Sequence, residues 1–544
     1  MKLTNSSQMR EMDSYVIEDL GVTGKVLMSK AAQHIAAAAL ERIRPGGLAA
    51  VFCGTGNNGG DGIGAAAFLA DKGVPVRVFL IGNEEKLTYD SREMRRRLDS
   101  LHGSLEPFVE SAELEQYVKS CDVVIDAIFG IGLNTDLRGD ALAAVKMINA
   151  SGAFVIAADI PSGVHADTGA ILGASVKADV TVTFTMAKPG HFVEPGCTRC
   201  GEVLLRDIGI PQELVDGAAS RLFAVTREDV SLPKRRPDSH KGDYGRLLIV
   251  AGSTGYTGAP ALCARAASRM GAGLVFLGVP APVYNIMAAK LCEEMPFPLP
   301  ADKHGRLGAN AAGEILRRAA GCDALLIGPG LGTSDEVTEL VLSVIRLAKA
   351  QIILDADGIN AIAGNAEVLD KAAHPVILTP HPGEFRRLIG SNLATGGLSP
   401  ASVLPPGTLP PGTLPAGPRT PGILPDELLS RDRLGAARGF AAKFGCVLVL
   451  KGHRTITSLP DGRAYINTTG GPAMAKGGTG DVLAGMIAAL VAQKFPVKDS
   501  AAAAVYIHGL AGDMCAAGLG EYSVIASDII AMLPKAAKSV AGQP

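Results

Sequence analysis

Short apolar runs alternate along the chain with longer stretches in which apolar residues recur at helical spacing. That alternation predicts strands joined by helices, an α/β chain with mostly parallel sheets. In the first part the runs fall at 49–53 (AAVFC), 76–81 (VRVFLI), 122–128 (DVVIDAI), 153–159 (AFVIAAD) and 179–185 (DVTVTFT), with helical stretches such as 62–72 and 137–149 between them. In the second part they fall at 246–251, 274–279, 323–327, 351–355, 375–379 and 446–450. The first series ends near 210, and the weakly patterned stretch 214–226 places a domain boundary near 220, giving domains 1–220 and 221–544. Residues 396–425 break the pattern: they are dense in Pro, Gly and Thr and repeat LPPGT at 404–408 and 409–413. Proline at that density favours polyproline II or coil, so this reads as a surface insertion inside the second domain.

Composition narrows the function. A chain of 544 residues is long for one domain, and 47% hydrophobic residues suffice for sizeable cores. Lys+Arg 52 against Asp+Glu 54 leaves no global pull toward nucleic acid or an anionic membrane. Aromatics at 4% and no Trp argue against a base-stacking surface. The longest apolar runs, such as 482–492, stop short of the roughly 18 residues of a membrane span. The start, MKLTNSSQMREMD, lacks the apolar core of a signal peptide, so a cytoplasmic location is expected. Nine cysteines form no disulfide framework, and Cys197 and Cys200 make a lone CxxC without further zinc ligands nearby. Glycine is in surplus, 66 residues, and backbone approach to phosphates is one reason for such a surplus.

The strongest early motif is GTGNNGGDG at 54–62, directly after the first strong strand and before an Ala-rich helix. Two Asn and one Asp among the glycines supply amide donors and a carboxylate that a simple turn does not need. Strand 122–128 carries Asp126 and runs into GIGLNTD at 130–136, and strand 153–159 ends in Asp159, followed by IPSG. Acidic residues at the carboxyl ends of parallel strands are expected to face the ligand crevice of an open α/β sheet. These three motifs resemble the NAD(P)H-hydrate epimerase family over most of 10–215, with a departure at 28–32, where MSKAA replaces the usual acidic residue and glycine. The resemblance implies a Rossmann-like α/β/α domain that interconverts the R and S forms of the hydrated cofactor, NAD(P)HX. It further implies that Asn57, Asn58, Gly59, Gly60, Asp61, Gly130, Ile131, Gly132, Leu133, Asn134, Thr135 and Asp136 hold substrate. Asn58, Asp126 and Ser162 would bind a potassium ion, and Asp159 would contact the substrate and handle its proton.

In the second part five loops follow strands: HKGDYGRLLIVAGSTGYTGAP (240–260), GPGLG (328–332), DADGIN (355–360), TPHPGEF (379–385), and KGHRT (451–455) leading to NTTGGPAMAKGGTGDVLAG (467–485). In the last, glycines open a helix whose N–H groups and dipole converge on an anion. Asp481 at that start would repel phosphate unless it accepts a hydroxyl proton during transfer. The set resembles the ADP- or ATP-dependent NAD(P)HX dehydratases, of ribokinase-like α/β fold, over roughly 225–540 apart from the insertion. By that likeness Ala259, Gly332, His381 and Asp481 would contact the hydrated substrate. Lys451, Gly452, His453, Arg454, Thr455, Asn467, Met474, Lys476, Gly477, Gly478 and Gly480 would hold the nucleotide with Mg2+, Lys451 as a phosphate or ribose contact. The implied reaction phosphorylates the hydrate hydroxyl, with Asp481 as base, and then expels phosphate. A homo-oligomer is expected by the same likeness. The competing reading is a ribokinase-type small-molecule kinase with a non-catalytic N-terminal binding module.

Overall fold

The computed structural model describes residues 1–395 and 425–542. The expected insertion therefore lies, apart from Pro425, outside the described residues. The chain divides into two compact units, Lys2–Leu222 and the residues from Phe223 onward together with Met1.

The N-terminal unit holds a seven-stranded sheet, parallel throughout. Its order is Leu105–Pro107, Val76–Leu80, Ala49–Cys53, Val123–Ala127, Phe154–Ala158, Val180–Phe184, Glu202–Arg206. The central strands are buried on both faces, which is why they read as unbroken apolar runs. Alternate residues serve opposite layers. Val51, Cys53 and Ile125 pack with Ile35, Ile63 and Met94 of one set of helices, and Ala50, Phe52 and Val124 pack with Val118 and Ala144 of the other. The two outer strands escaped the pattern because Leu105–Pro107 is three residues long and Glu202–Arg206 is charged at both ends and largely unburied.

One local expectation is corrected. The helix expected from 62 begins at Asn57, as Asn57–Asp71, so the glycines of NNGGDG lie in its first turns rather than in a loop. Packing explains them: a Cβ on Gly59 would stand 1.8 Å from the Gly54 carbonyl oxygen, and one on Gly62 would stand 2.4 Å from Ala127 Cβ. Part of the glycine surplus thus serves close helix–sheet contact rather than anion binding.

In the C-terminal unit nine strands follow one another in the order Ala464–Asn467, Ile456–Ser458, Val447–Leu450, Ile377–Leu378, Gln351–Leu354, Ala324–Ile327, Arg246–Val250, Leu274–Pro280, Met295–Leu299. The pairs are parallel from Val447–Leu450 onward, and an antiparallel meander supplies the first two strands. Leu247, Ile249, Leu326 and Ile353 share one core with the helices Gly258–Arg269, Thr479–Ala492, Val497–Leu519 and Ala526–Val540. Helix Thr479–Ala492 is apolar nearly all round, which suits a central helix covered on every side. Its Gly485 lies so close to helix Gly258–Arg269 that a Cβ there would come within 2.2 Å of the Cys263 carbonyl oxygen. Helix Val497–Leu519 is long and apolar enough to cross a membrane by length and composition, a property that counting strictly apolar runs missed. Its Ala501, Ala504, Val505, Ile507 and Ala511 are buried in the same core.

Candidate active sites

A cavity of about 740 Å3 opens at the carboxyl ends of the N-terminal unit's strands. Asn57, Asn58, Asp61, Gly130, Ile131, Gly132, Leu133, Asn134, Thr135 and Asp159 all line it, so residues from three separate motifs meet on one volume. Gly59 and Gly60 are buried within their helix, and Asp136 is exposed; none of the three lines the cavity. Asp126 corrects the expectation that it faces the crevice. It is fully buried, its Oδ2 accepting from the Ser162 N–H at 2.7 Å and its Oδ1 from Ser162 Oγ at 2.6 Å. Ser162 Oγ in turn accepts from the Phe129 N–H at 2.9 Å. Burial pushes the Asp126 carboxyl up to about 6, against the lowering effect of those hydrogen bonds. Beside this cluster the Asn58 side-chain amide is buried with neither its oxygen nor its nitrogen hydrogen-bonded among the described residues. A Cβ on Gly130 would lie 3.1 Å from Asn58 Oδ1.

Asp159 is the pivot of the cavity. Its Oδ1 accepts from Lys188 Nζ at 2.6 Å and Thr183 Oγ1 at 2.9 Å, and Lys188 Nζ also reaches Thr183 Oγ1 at 3.0 Å. Its backbone sits at φ +64°, a left-handed conformation that Asp tolerates better than most residues. The Lys188 N–H donates to His191 Nδ1 at 3.1 Å, so the neutral ring carries its hydrogen on Nε2 and donates it to the Asp159 carbonyl at 2.8 Å. Burial pushes His191 down to about 4, keeping it neutral. Burial would raise Asp159, but the Lys188 ammonium overrides that and holds the carboxylate below its usual range. Asp61, buried beside Asp159 and Asp13, is raised well above the carboxylate range. Sequence reasoning missed Lys188, His191 and Thr183. The signal available was the polar KPGH at 188–191, a few residues past the end of strand Val180–Phe184.

In the C-terminal unit the same device recurs. Asp355 is 1% exposed and its Oδ1 accepts from Lys451 Nζ at 2.7 Å and Thr379 Oγ1 at 2.8 Å. Lys451 was expected on the nucleotide; the structure turns its ammonium onto Asp355, with a Cβ on Gly480 lying 3.2 Å from Nζ. Burial would lower the Lys451 pKa, but Asp355, Glu384 and Asp481 together raise it. Asp481 lies in the first turn of Thr479–Ala492, whose preceding Gly478 adopts φ +92° and leaves the helix N-terminus open. Burial first, then repulsion by Asp355 and Glu384, pushes Asp481 up to about 7 despite Lys451.

The surrounding loops are braced from behind. The Gly332 N–H donates to Asp357 Oδ2 at 2.9 Å, and Asn360, itself held by Arg387, donates to Asp357 Oδ1 at 3.2 Å. Ala259 lies against the same loop, 3.4 Å from where a Gly330 Cβ would stand. His381 is half exposed; its Nδ1 accepts from the Gly383 N–H at 3.0 Å, and its Nε2 faces Glu384 Oε1 at 3.4 Å. The loop carrying Gly452, His453, Arg454 and Thr455 is clamped by the buried Arg433, which donates to the carbonyls of Leu450, Lys451 and His453. Arg454 bonds the Thr468 carbonyl, and Asn467 bonds that of Thr469, tying this loop to the next. Met474 packs on Gly470, and Lys476 reaches out to the Tyr522 carbonyl. Missed by sequence reasoning were Asp355 and Glu384, although both stand in quoted motifs, and the buried His508. Its Nε2 has no hydrogen-bond partner among the described residues, and its ring bonds the Thr479 backbone.

Comparison with known proteins agrees with two catalytic units. Residues 247–535 match the family model described as NAD(P)H-hydrate dehydratase, and residues 24–190 match that described as YjeF-related protein N-terminus. The chain is 36% identical over 542 residues to a bifunctional NAD(P)H-hydrate repair enzyme Nnr of Thermofilum pendens, covering 99% of this chain and 97% of the relative. A protein of the same name from Moorella thermoacetica is 36% identical over 98% of this chain and 96% of its own. Among solved structures, the ADP/ATP-dependent NAD(P)H-hydrate dehydratase of Bacillus subtilis, co-crystallised with ATP/Mg2+, is 31% identical. It covers 58% of this chain and 98% of its own, with a TM-score of 0.46.

Replacing Lys188 by Met would leave Asp159 buried without its counter-ion. The expected cost is about 3–5 kcal/mol of stability in denaturant unfolding, and a loss below about 1 kcal/mol would show that the pair is not structurally required.

Proposed function

The chain belongs to the bifunctional NAD(P)H-hydrate repair enzymes, and on that premise we propose how its two sites divide the work. The enzyme epimerises R- and S-NAD(P)HX and dehydrates the S form to NAD(P)H. The observation that carries the residue assignment is a recurring arrangement, an Asp ion-paired with a buried Lys and a second carboxyl raised beside it, at the carboxyl ends of both parallel sheets. Relatives that carry the bifunctional name over the full length favour two active units over a kinase with a silent N-terminal module.

In the N-terminal unit Asp159 handles the substrate proton, and the first turns of helix Asn57–Asp71 together with the loop 130–135 hold the hydrated nicotinamide nucleotide. A potassium ion fits the adjacent polar cluster. The unpartnered Asn58 amide oxygen, the buried Asp126 carboxylate and Ser162 Oγ are the hard oxygens an alkali cation takes. Such an ion would compensate the Asp126 charge and tie the start of helix Asn57–Asp71 to the Ser162 turn.

In the C-terminal unit Asp481 accepts the proton of the hydrate hydroxyl as its oxygen attacks the terminal phosphoryl group of ADP or ATP. A carboxylate that has been raised to about 7 is a stronger base than an ordinary one, yet remains substantially ionised near neutral pH. The Thr479–Ala492 helix N-terminus receives the charge of the transferring group, and Lys451 keeps Asp355 neutralised beside it. Loss of phosphate then restores the nicotinamide ring. Among the described residues no group of three or more His, Cys, Asp or Glu side chains gathers to hold a metal by itself. Mg2+ carried on nucleotide phosphates needs only one or two protein carboxylates, and Asp355 and Glu384 are those beside Asp481. That ion would supply charge neutralisation on the phosphates.

The deciding experiment follows absorbance at 340 nm with an epimer mixture of NADHX, Mg2+ and ADP or ATP in separate reactions. Full conversion to NADH is expected; a halt at the S fraction would contradict the epimerase assignment. Asp481→Asn is expected to lower dehydration by about 10²–10⁴-fold while epimerisation persists. Because the base must be ionised, wild-type dehydration kcat/KM should rise as pH rises through about 7, and a flat profile would remove Asp481 from that role. Potassium chloride should raise the melting temperature of the wild type above its value in choline chloride, and Asn58→Ala should abolish the difference.

A further inference from the structure

We propose that Asp13 is a second catalytic residue of the epimerisation site, exchanging a proton with the hydroxyl on one face of the substrate carbon while Asp159 serves the water that adds on the other. The proposal rests on the reading that the N-terminal unit epimerises NAD(P)HX. Asp13 lies on helix Ser6–Glu18, which buries Met9, Met12 and Val16 in the core, so the position of its carboxyl is set by packing. It lines the cavity from that helix, whereas Asp159 enters from the sheet edge. Inversion at one carbon requires chemistry from both of its faces, and two carboxyls presented by different elements can supply it.

The other charged groups on the cavity wall do not match this role. Lys188 is bonded to Asp159 and Thr183. Asp61, desolvated beside Asp159 and Asp13, is raised well above the carboxylate range and so is the poorest of the three at giving up its proton, while Arg10 bonds the Ile131 carbonyl and Asp90 packs against Gly24. The Asp13 carboxyl makes no hydrogen bond or ion pair among the described residues. Burial pushes it up to about 6, against the lowering pull of Lys188 and with a further push from Asp159. Two carboxyls driven in opposite directions on the wall of one cavity are the usual arrangement of an acid and its partner base.

The hydrate hydroxyl is on the ring carbon beside the ring nitrogen. In one direction the Asp13 carboxyl gives its proton to that oxygen. The C–O bond breaks, its electron pair leaves on water, and the nitrogen lone pair forms a C=N bond. A water molecule then adds to the opposite face, forming the new C–O bond, and its proton passes to Asp159. The reverse reaction uses the same groups with roles exchanged.

The test uses the full-length enzyme and R-NADHX, with epimer ratios read by chromatography and spontaneous epimerisation subtracted. Asp13→Asn should lower the epimerisation kcat by about 100-fold or more, Asp13→Glu should recover part of it, and S-NADHX dehydration in the same preparations should be unchanged. The wild-type rate should fall as pH rises through about 6, because the pair then loses its single shared proton, and the residual Asp13→Asn activity should lack that limb. Epimerisation within threefold of wild type, or an unaltered pH limb, would overturn the proposal. A wild type that dehydrates S-NADHX but never epimerises would instead defeat the underlying reading, and this proposal with it.

Discussion

Both sites are organised around a buried aspartate–lysine pair. Each is built alike: an Asp at the carboxyl end of a parallel strand receives on one oxygen a lysine ammonium and the hydroxyl of a Thr from the neighbouring strand's end. Taking two charges out of water costs several kcal/mol per ion, and only close pairing with further hydrogen bonds offsets it. The parallel sheet meets that demand, since adjacent strand ends place the Thr beside the Asp. The left-handed backbone at Asp159 and at Ala356, next to Asp355, lies at these same points.

Once one cation is committed to one carboxylate, further carboxyls buried nearby are desolvated without a cation of their own. Asp61 and Asp13 in one unit and Asp481 in the other are all raised for that reason. In the N-terminal cavity burial and the Lys188 ammonium thus pull in opposite directions, the ammonium winning at Asp159 and burial winning at Asp13 and Asp61. Acid–base chemistry near neutral pH needs such a separation, and neither unit requires a histidine for it. His191 and His508 are both buried and pushed down to about 4, which makes them neutral hydrogen-bonding groups.

Glycine does two different jobs around these sites. In Asn57–Asp71 and at Gly485 it lets a helix lie directly on its neighbour, which brings the loops of each site within reach of the charged cluster. At Gly478 it opens a helix N-terminus to an anion through a positive φ. The first job is as important as the second, because a Cβ at Gly59, Gly62 or Gly485 would collide with the element packed against it.

Much of this was legible in the order of residues. Strands with both faces buried are contiguous apolar runs, and Asp159 and Asp481 announce themselves by standing where such a run ends or a glycine-opened helix begins. These are local properties, and neighbouring residues along the chain carry them. Lys188 lies 29 positions from Asp159, and Lys451 lies 96 from Asp355; no local pattern links them. Whether Asp126 faces the cavity or turns beneath it to Ser162, whether the NNGGDG glycines cradle an anion or seat a helix, and that Asp13 reaches the cavity at all depended on strand order and helix packing. The sequence by itself determined which elements form and which strand ends carry charge. Only the tertiary structure decided which charges share a cavity, because pairing a buried ion depends on distances in space that are created when the strands take their places in the sheet.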